Sequence, residues 1–206
     1  MPFFQYGDTE IDWLSKRDKR MAQAIERIGL IRRNTMPELF PALIRCIIDQ
    51  QISTAAARTV NARILQLCGG QINAESLLAA GADNLQRCGT SMRKVHYMLG
   101  VAQAVQSGKL DLSAISAMDD AQVIRTLTDL KGIGIWTAEM LMIFSLGRPD
   151  VLSWGDLAIQ RGIMRLYNHK ELPRERFERY RRRYSPYGST ASLYLWAISA
   201  QQNSTS

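Results

Sequence analysis

The stretch whose reading decides the fold is Leu130-Lys131-Gly132-Ile133-Gly134-Ile135-Trp136-Thr137-Ala138. It sits within a longer span from Thr128 to Asp156. A helical pattern precedes it from Ala121 to Asp129, with Asp119 as its cap, and a second runs from Ile135 to Ser145. Two glycines flank one apolar residue between these helices, so the pattern reads as a helical hairpin over 121–145. Glycine admits positive φ and lets another backbone approach without a Cβ in the way. Amides exposed at the start of the second helix, together with its dipole, suit a phosphate oxygen. Ile133 can turn inward and pin the turn. An ordinary tight turn between helices satisfies the same residues. Asp156 stands as a lone acid at the start of a third helix, where aspartate caps readily.

Outward from the hairpin, strand signals are nearly absent while Ala, Leu, Gln, Arg and Met abound. The expectation is an all-α chain of about ten helices. One helix is read from Ile11 to Ile28, stopped by Gly29, and another from Pro37 to Gln50. A third is capped by Ser53 or Thr54 and ends at Cys68-Gly69-Gly70. Short helices follow at Ala74–Ala80 and Ala82–Arg87, then a longer one at Met92–Gln106 and a short one at Asp111–Met118. After the hairpin come Asp156–Tyr167, Pro173–Tyr184 and Gly188–Gln201. Gln201 to Ser206 read as a frayed end.

The chain has 206 residues, 46% of them hydrophobic, and a net charge of +7, with a pI near 9.6. That charge favours an anionic partner, nucleic acid being the commonest, although a merely basic soluble protein has the same balance. Cys46, Cys68 and Cys88 form no C-x-x-C pair, so zinc and redox spacings are missing and the three read as core thiols in a reducing compartment. No apolar run approaches the ~18 residues needed to span a membrane, and the N-terminus has no secretory pattern. The expectation is a cytoplasmic protein, or a nuclear one if eukaryotic.

The hairpin with its following Asp156 resembles the signature of the helix-hairpin-helix DNA glycosylase superfamily. Ile48-Asp49-Gln50-Gln51-Ile52-Ser53 resembles that superfamily's Gln-containing motif before its DNA-intercalating loop. Arg93-Lys94-Val95-His96-Tyr97 and the segment from Tyr184-Ser185-Pro186-Tyr187 to Trp196 are similar to the alkyladenine branch, the 3-methyladenine DNA glycosylase II type. The resemblance covers about Pro37 to Ala200. It implies a single glycosylase domain over 1–206, built as two helical lobes with the active cleft between them, without the separate N-terminal α/β domain of the bacterial enzyme.

The same resemblance implies roles for residues. Asp156 is the catalytic carboxylate, facing a sugar that becomes oxocarbenium-like as the base leaves. Main-chain carbonyls of Thr128, Leu130 and Ile133 hold a monovalent cation, sodium or potassium, and amides around Gly132 and Gly134 take a phosphate. Gln51 wedges into the duplex when the damaged nucleotide flips out; a polar helix-end residue is the plainer reading. Trp136 and Trp196 line an aromatic base pocket, where an indole face attracts a cationic methylated purine; core packing is a serious rival for Trp196. Two departures bear on the pocket: Trp154 stands where the family commonly has proline, and Met140 where the bacterial enzyme has an aromatic. Trp136 also occupies the position of the lysine nucleophile of strand-cutting relatives, and tryptophan offers no amine. The implied activity is therefore monofunctional hydrolytic removal of alkylated purines, of the 3-methyladenine and 7-methylguanine type, from double-stranded DNA. No cofactor is required, and no iron–sulfur cluster is expected with three cysteines, all before residue 90. A monomer is expected. His96 is read as structural or phosphate-facing, and the arginine-rich run from Arg174 to Arg183 as a basic flank or a solvated helix face. The alternatives are a DNA-binding module without catalysis, or a glycosylase for deaminated or etheno bases.

Overall fold

The computed structural model describes residues 2–201. Among these it contains twelve α-helices, one short 3-10 turn and a single isolated bridge between Phe3 and Asn34. The rest of the C-terminal stretch read as frayed, residues 202–206, lies outside the described residues. The all-helical expectation holds. The chain divides into two compact units, one formed by residues 1–35 with 142–206 and the other by 36–141.

The first unit begins with α1 (Asp8–Arg17) and α2 (Lys19–Ile28). The sequence suggested one helix here, and the structure breaks it at Asp18. This residue is extended (φ −146°, ψ 107°), ending α1 and capping α2 by accepting from the amides of Arg20 and Met21, each at 3.0 Å. A short acid that bonds its own downstream amides competes with helix continuation. The break is held from outside as well: the second carboxylate oxygen accepts from Tyr167 Oη at 2.6 Å and Arg183 Nη1 at 2.7 Å. Around this node α10 (Leu157–Tyr167), α11 (Arg174–Tyr184) and α12 (Gly188–Ala200) enclose a core of Leu14, Met21, Ile25, Ile159, Ile163, Phe177, Tyr184, Tyr194 and Leu195. The closest crossing is between α10 and α12. A Cβ on Gly162 would lie 2.3 Å from the Leu195 carbonyl oxygen, so only glycine permits it.

The second unit contains α3 (Leu39–Asp49), α4 (Thr54–Leu67), α5 (Ala74–Ala80), α6 (Ala82–Arg87), α7 (Met92–Gln106), α8 (Asp120–Thr128) and most of α9 (Ile135–Phe144). Ser53 is the residue that caps α4, accepting from the Ala56 amide. The short helix expected at Asp111–Met118 is reduced to a 3-10 turn at Ala114–Ala117. Asp111 accepts from the Ser113 amide and hydroxyl and the Ala114 amide, fixing the bend that leads into this turn. Ile44, Ile47, Ile48, Leu77, Leu85, Val95, Met98, Val123 and Leu127 are fully buried. Cys68 and Cys88 are buried and Cys46 is partly so, all as free thiols; burial, aided by Asp49, pushes the Cys46 thiol up to about 11.

Candidate active site and DNA-gripping elements

In the first unit, Asp156 is the N-cap of α10. Its Oδ1 accepts from the amides of Ala158 at 2.8 Å and Ile159 at 3.0 Å, and its Oδ2 accepts from the indole Nε1 of Trp196 at 3.1 Å. The residue is only 7% exposed. A buried carboxylate is costly unless it is hydrogen-bonded, and here two amides at the positive end of a helix and an indole meet it. Gly162 sets this geometry. It draws α10 against α12 at Leu195, one residue before Trp196, so both partners of the indole–carboxylate bond are fixed by one tight crossing.

Trp196 is half-buried and stacks on Phe144 with centroids 5.6 Å apart and planes at 27°, and Arg33 lies over the other ring of that pair at 5.7 Å. The donor edge of the indole thus faces the acid while its ring is held by stacking. Phe144 was not singled out in the sequence; its place at the last position of α9 gave no signal beyond an apolar helix end. Trp154 is half-buried. Its ring meets Phe177 edge-on at 5.1 Å, with the Arg174 guanidinium 5.0 Å above it, and its carbonyl accepts from Gln160 Nε2 at 2.6 Å. These are contacts with the unit's core and with α11. The carbonyl bond also ties the segment before Asp156 to α10.

In the second unit, α8 and α9 form the hairpin expected at 121–145. Asp119 and Gln122 make a reciprocal capping box at its start. In the turn, the Leu130 amide donates to Leu127 O and the Ile133 amide to Leu130 O, and Ile133 is buried. The two glycines differ. Gly132 has φ +92°, and a Cβ there would lie 2.3 Å from Cδ2 of Tyr97, so the turn is pressed against that ring. Gly134 is exposed, with nothing within 4 Å of where its Cβ would be. No neighbour among the described residues requires that glycine. Trp136 is 47% exposed, whereas Met140 is buried.

The loop after α3 is anchored to the same turn. Gln50 Nε2 donates to Gly132 O at 2.7 Å, and the buried Lys94 ammonium donates to Ile48 O at 2.8 Å and Gln50 O at 2.6 Å. Burial lowers the Lys94 pKa and Arg93 adds to that, while Asp49 opposes it. Gln51, between these anchors and the Ser53 cap, is exposed and takes φ +54°, a conformation rare for a residue with a side chain. Neither Lys94 nor Gln50 was assigned a role from sequence, although both lie inside quoted motifs. His96 lines a groove beside the turn with Tyr97 and Lys131. Of the eight exposed large hydrophobics among the described residues, Ile52, Ile135, Trp136 and Leu157 adjoin or are the singled-out positions.

Residues 44–186 match the HhH-GPD superfamily of base excision DNA repair proteins. The chain belongs to this family. Its fold is similar to that of the solved DNA-3-methyladenine glycosidase from Bacillus halodurans, with a TM-score of 0.88, 38% identity, and coverage of 98% of this chain and 94% of that one. It is also similar to the Schizosaccharomyces pombe 3-methyladenine DNA glycosylase solved in complex with abasic DNA, with a TM-score of 0.83, 29% identity, and coverage of 96% and 100%. A curated Bacillus subtilis relative is 29% identical over 166 residues; the match takes in 77% of this chain, which spans 58% of that relative's length. Within the family's matched region lie the hairpin, the Gln51 loop and Asp156, whereas Trp196 falls beyond its end.

Proposed function

We propose that this family member is a monofunctional DNA glycosylase that hydrolyses the bond between C1′ and an alkylated purine, leaving an abasic site. The observation that carries the reading is the buried Asp156 carboxylate, held by two helix amides and the Trp196 indole. A helix cap alone needs no indole on its second oxygen. As the C1′–N bond breaks, its electron pair leaves with the purine and positive charge grows on the sugar. A carboxylate ~4 Å away stabilises that charge by about 4 kcal/mol at an effective dielectric of 20, roughly a thousandfold in rate. Water then adds its oxygen to C1′ and gives up a proton to Asp156. The names of the two solved relatives support the alkylpurine class. So does an aromatic surface: Trp196 offers an indole to a cationic purine, and a methylated purine needs little further help to leave. Trp136 in place of an amine supports hydrolysis without strand cutting.

Grip belongs to the second unit. Gly134, which nothing in the protein demands, suits close approach of a phosphate to the start of α9. The carbonyls of Thr128, Leu130 and Ile133 are neutral oxygens fit for a monovalent cation, which would add positive charge beside that phosphate. Gln51, exposed on a loop fixed by Lys94 and Gln50, is the residue to fill the gap left by a flipped base. Base release from methylated duplex DNA tests the reading. Wild type should free 3-methyladenine and 7-methylguanine and leave strands that break only with heat or alkali. Equal release by Asp156→Asn would sink the enzymatic reading, and strand scission through a borohydride-trapped imine would sink the monofunctional one.

A further inference from the structure

The excess positive charge is unevenly placed. The first unit contains 17 Lys and Arg against 10 Asp and Glu, the second 9 against 9. The hairpin therefore sits in the neutral unit, and all of the +7 lies in the other. Much of it converges near the C-terminal end of α10. A groove of about 630 Å³ there is lined by Arg27, Arg161, Arg165, His169 and Lys170 and, among the described residues, by no carboxylate. A neighbouring groove of about 510 Å³ shares His169 and adds Arg17, Lys19, Arg20 and Arg183. Its single acid, Asp18, already accepts from two amides, Tyr167 and Arg183.

Several of these guanidiniums are fixed by neutral oxygens. Arg20 donates to Leu166 O, Arg165 to Ile198 O and Gln201 O, and Arg27 to the Gln201 side chain. Arg176, on the adjoining α11, donates to Glu171 O. Such partners order the side chain without cancelling its charge, so little ordering entropy remains to be lost when an anion arrives. By contrast Arg174 and Arg181 are spent on Glu178, and Arg183 on Asp18. His169, bonded to Tyr180 Oη, sits where burial and the fields of Arg176, Arg20 and Arg179 all disfavour its protonation. The arginine-rich run is thus part neutralised face and part basic cluster.

We infer that this cationic face binds the phosphate backbone of a second DNA segment, apart from the strand processed at Asp156. Asp156 begins α10, and the cluster starts at Arg161, about 8 Å along the axis at 1.5 Å per residue, and extends to the far end at about 15 Å. A duplex presents one charge per ~1.7 Å and needs no sequence reading at such a surface, whereas a small anion would occupy only a fraction of it. The choice of DNA over another polyanion rests on the proposed function; the charge convergence does not.

The test is a triple variant, Arg161→Gln, Lys170→Gln and Arg179→Gln, of exposed side chains outside the carboxylate and hairpin. Three readouts are taken: thermal denaturation, single-turnover base release from a short methylated duplex at saturating enzyme, and dissociation from that duplex as undamaged competitor duplex is raised. Wild-type dissociation should accelerate with competitor concentration, because the second segment is captured before the first is released. The variant should lose that acceleration with unchanged melting and base release. Its salt slope on long undamaged DNA should fall by up to about 2.7, at ~0.9 per lost phosphate contact. Competitor-independent dissociation of the wild type would overturn the inference. So would acceleration by polyglutamate but not by duplex, which would assign the face to an acidic protein. A variant slowed in base release at saturation would place the face in the processed strand's own grip and overturn the separation. Failure of wild type to release any base would instead remove the proposed function and leave the binding readouts standing.

Discussion

Trp196→Phe isolates the bond on which the catalytic reading turns. Phenylalanine keeps an aromatic ring against Phe144 but removes the Nε1 donor that reaches Asp156 Oδ2 at 3.1 Å, along with the larger indole face. A hydrogen bond to an ionised acceptor contributes about 1.5–3 kcal/mol. Oδ1 stays bound to the amides of Ala158 and Ile159, so α10 keeps its cap and stability should change little. The loss should appear in the chemical step, where a rotated Oδ2 no longer faces the sugar. At ~1.4 kcal/mol per decade, that is roughly a 10- to 150-fold slower single-turnover base release. Asp156→Asn supplies the control. If the indole acts by orienting the carboxylate, Trp196→Phe should add almost nothing in an Asp156→Asn background, because residues that act as a unit are not additive. Release by Trp196→Phe at the wild-type rate would refute the reasoning. An undiminished effect in the Asn background would also refute it, placing the indole's action on the purine instead.

Four further outcomes follow from the same geometry. Lys94→Met removes the donor to Ile48 O and Gln50 O and should cost about 2–4 kcal/mol for two orphaned carbonyls, seen as a Tm lower by roughly 5–15 °C. Gly132→Ala should destabilise by about 1–3 kcal/mol, since its Cβ meets the Tyr97 ring and its φ is +92°; chemical denaturation measures it. Gly134→Ala meets no atom of the protein, so it should melt like wild type while its DNA affinity, by fluorescence anisotropy, falls several-fold; unchanged affinity would remove Gly134 from the phosphate site. Burial raises the Asp18 carboxyl pKa, but hydrogen bonds from Tyr167, the Met21 amide and Arg183 outweigh it and hold the pKa below the usual range. A depressed folded pKa contributes stability that is present above the unfolded value, about 3.8, and lost as pH falls through the folded value. Acid denaturation should therefore be shallower below about pH 4 in Asp18→Asn.

Helix content and most helix ends were legible because Gly, Ser and Asp mark caps by their own chemistry, as at Ser53, Asp119 and Gly29. Asp18 shows where that legibility stops. Its own side chain can cap, yet the spacing of Met21, Ile25 and Ile28 runs smoothly back past it, and the groups that make the break worthwhile, Tyr167 and Arg183, are about 150 residues away. The reduction of Asp111–Met118 to a 3-10 turn at Ala114 leaves no mark in the apolar periodicity, and the bonds of Asp111 to Ser113 and Ala114 would serve an α-helical start equally well. For the site, Asp156 is singled out by the resemblance, since its position alone fits a helix cap equally well, and Lys94 is not singled out: an ordinary helix lysine and a buried anchor of two carbonyls look alike until the fold brings Ile48 and Gln50 to it. Trp154 was read as a pocket residue because it lies two positions from the acid. Its ring contacts are with Phe177 and Arg174, which no local spacing predicts.

Two roles considered for Asp156, helix cap and catalytic acid, looked like rivals in the sequence. The structure is compatible with both, because the two carboxylate oxygens have different partners. Oδ1 takes the amides of Ala158 and Ile159, and Oδ2 takes the indole of Trp196. A carboxylate on a surface side chain would sample several rotamers and lose strength by screening. Capping removes that freedom and keeps the charge compensated at the positive end of α10. The Gly162 crossing then fixes where the indole meets it. Under the proposed function, capping is the means by which the acid is held ready, a preorganised charge aimed where positive charge would develop. The same economy appears at the hairpin. Gly132 is required by the Tyr97 ring and Gly134 by no atom of the described residues, so one glycine builds the turn and the other, under the proposed function, leaves room for a phosphate.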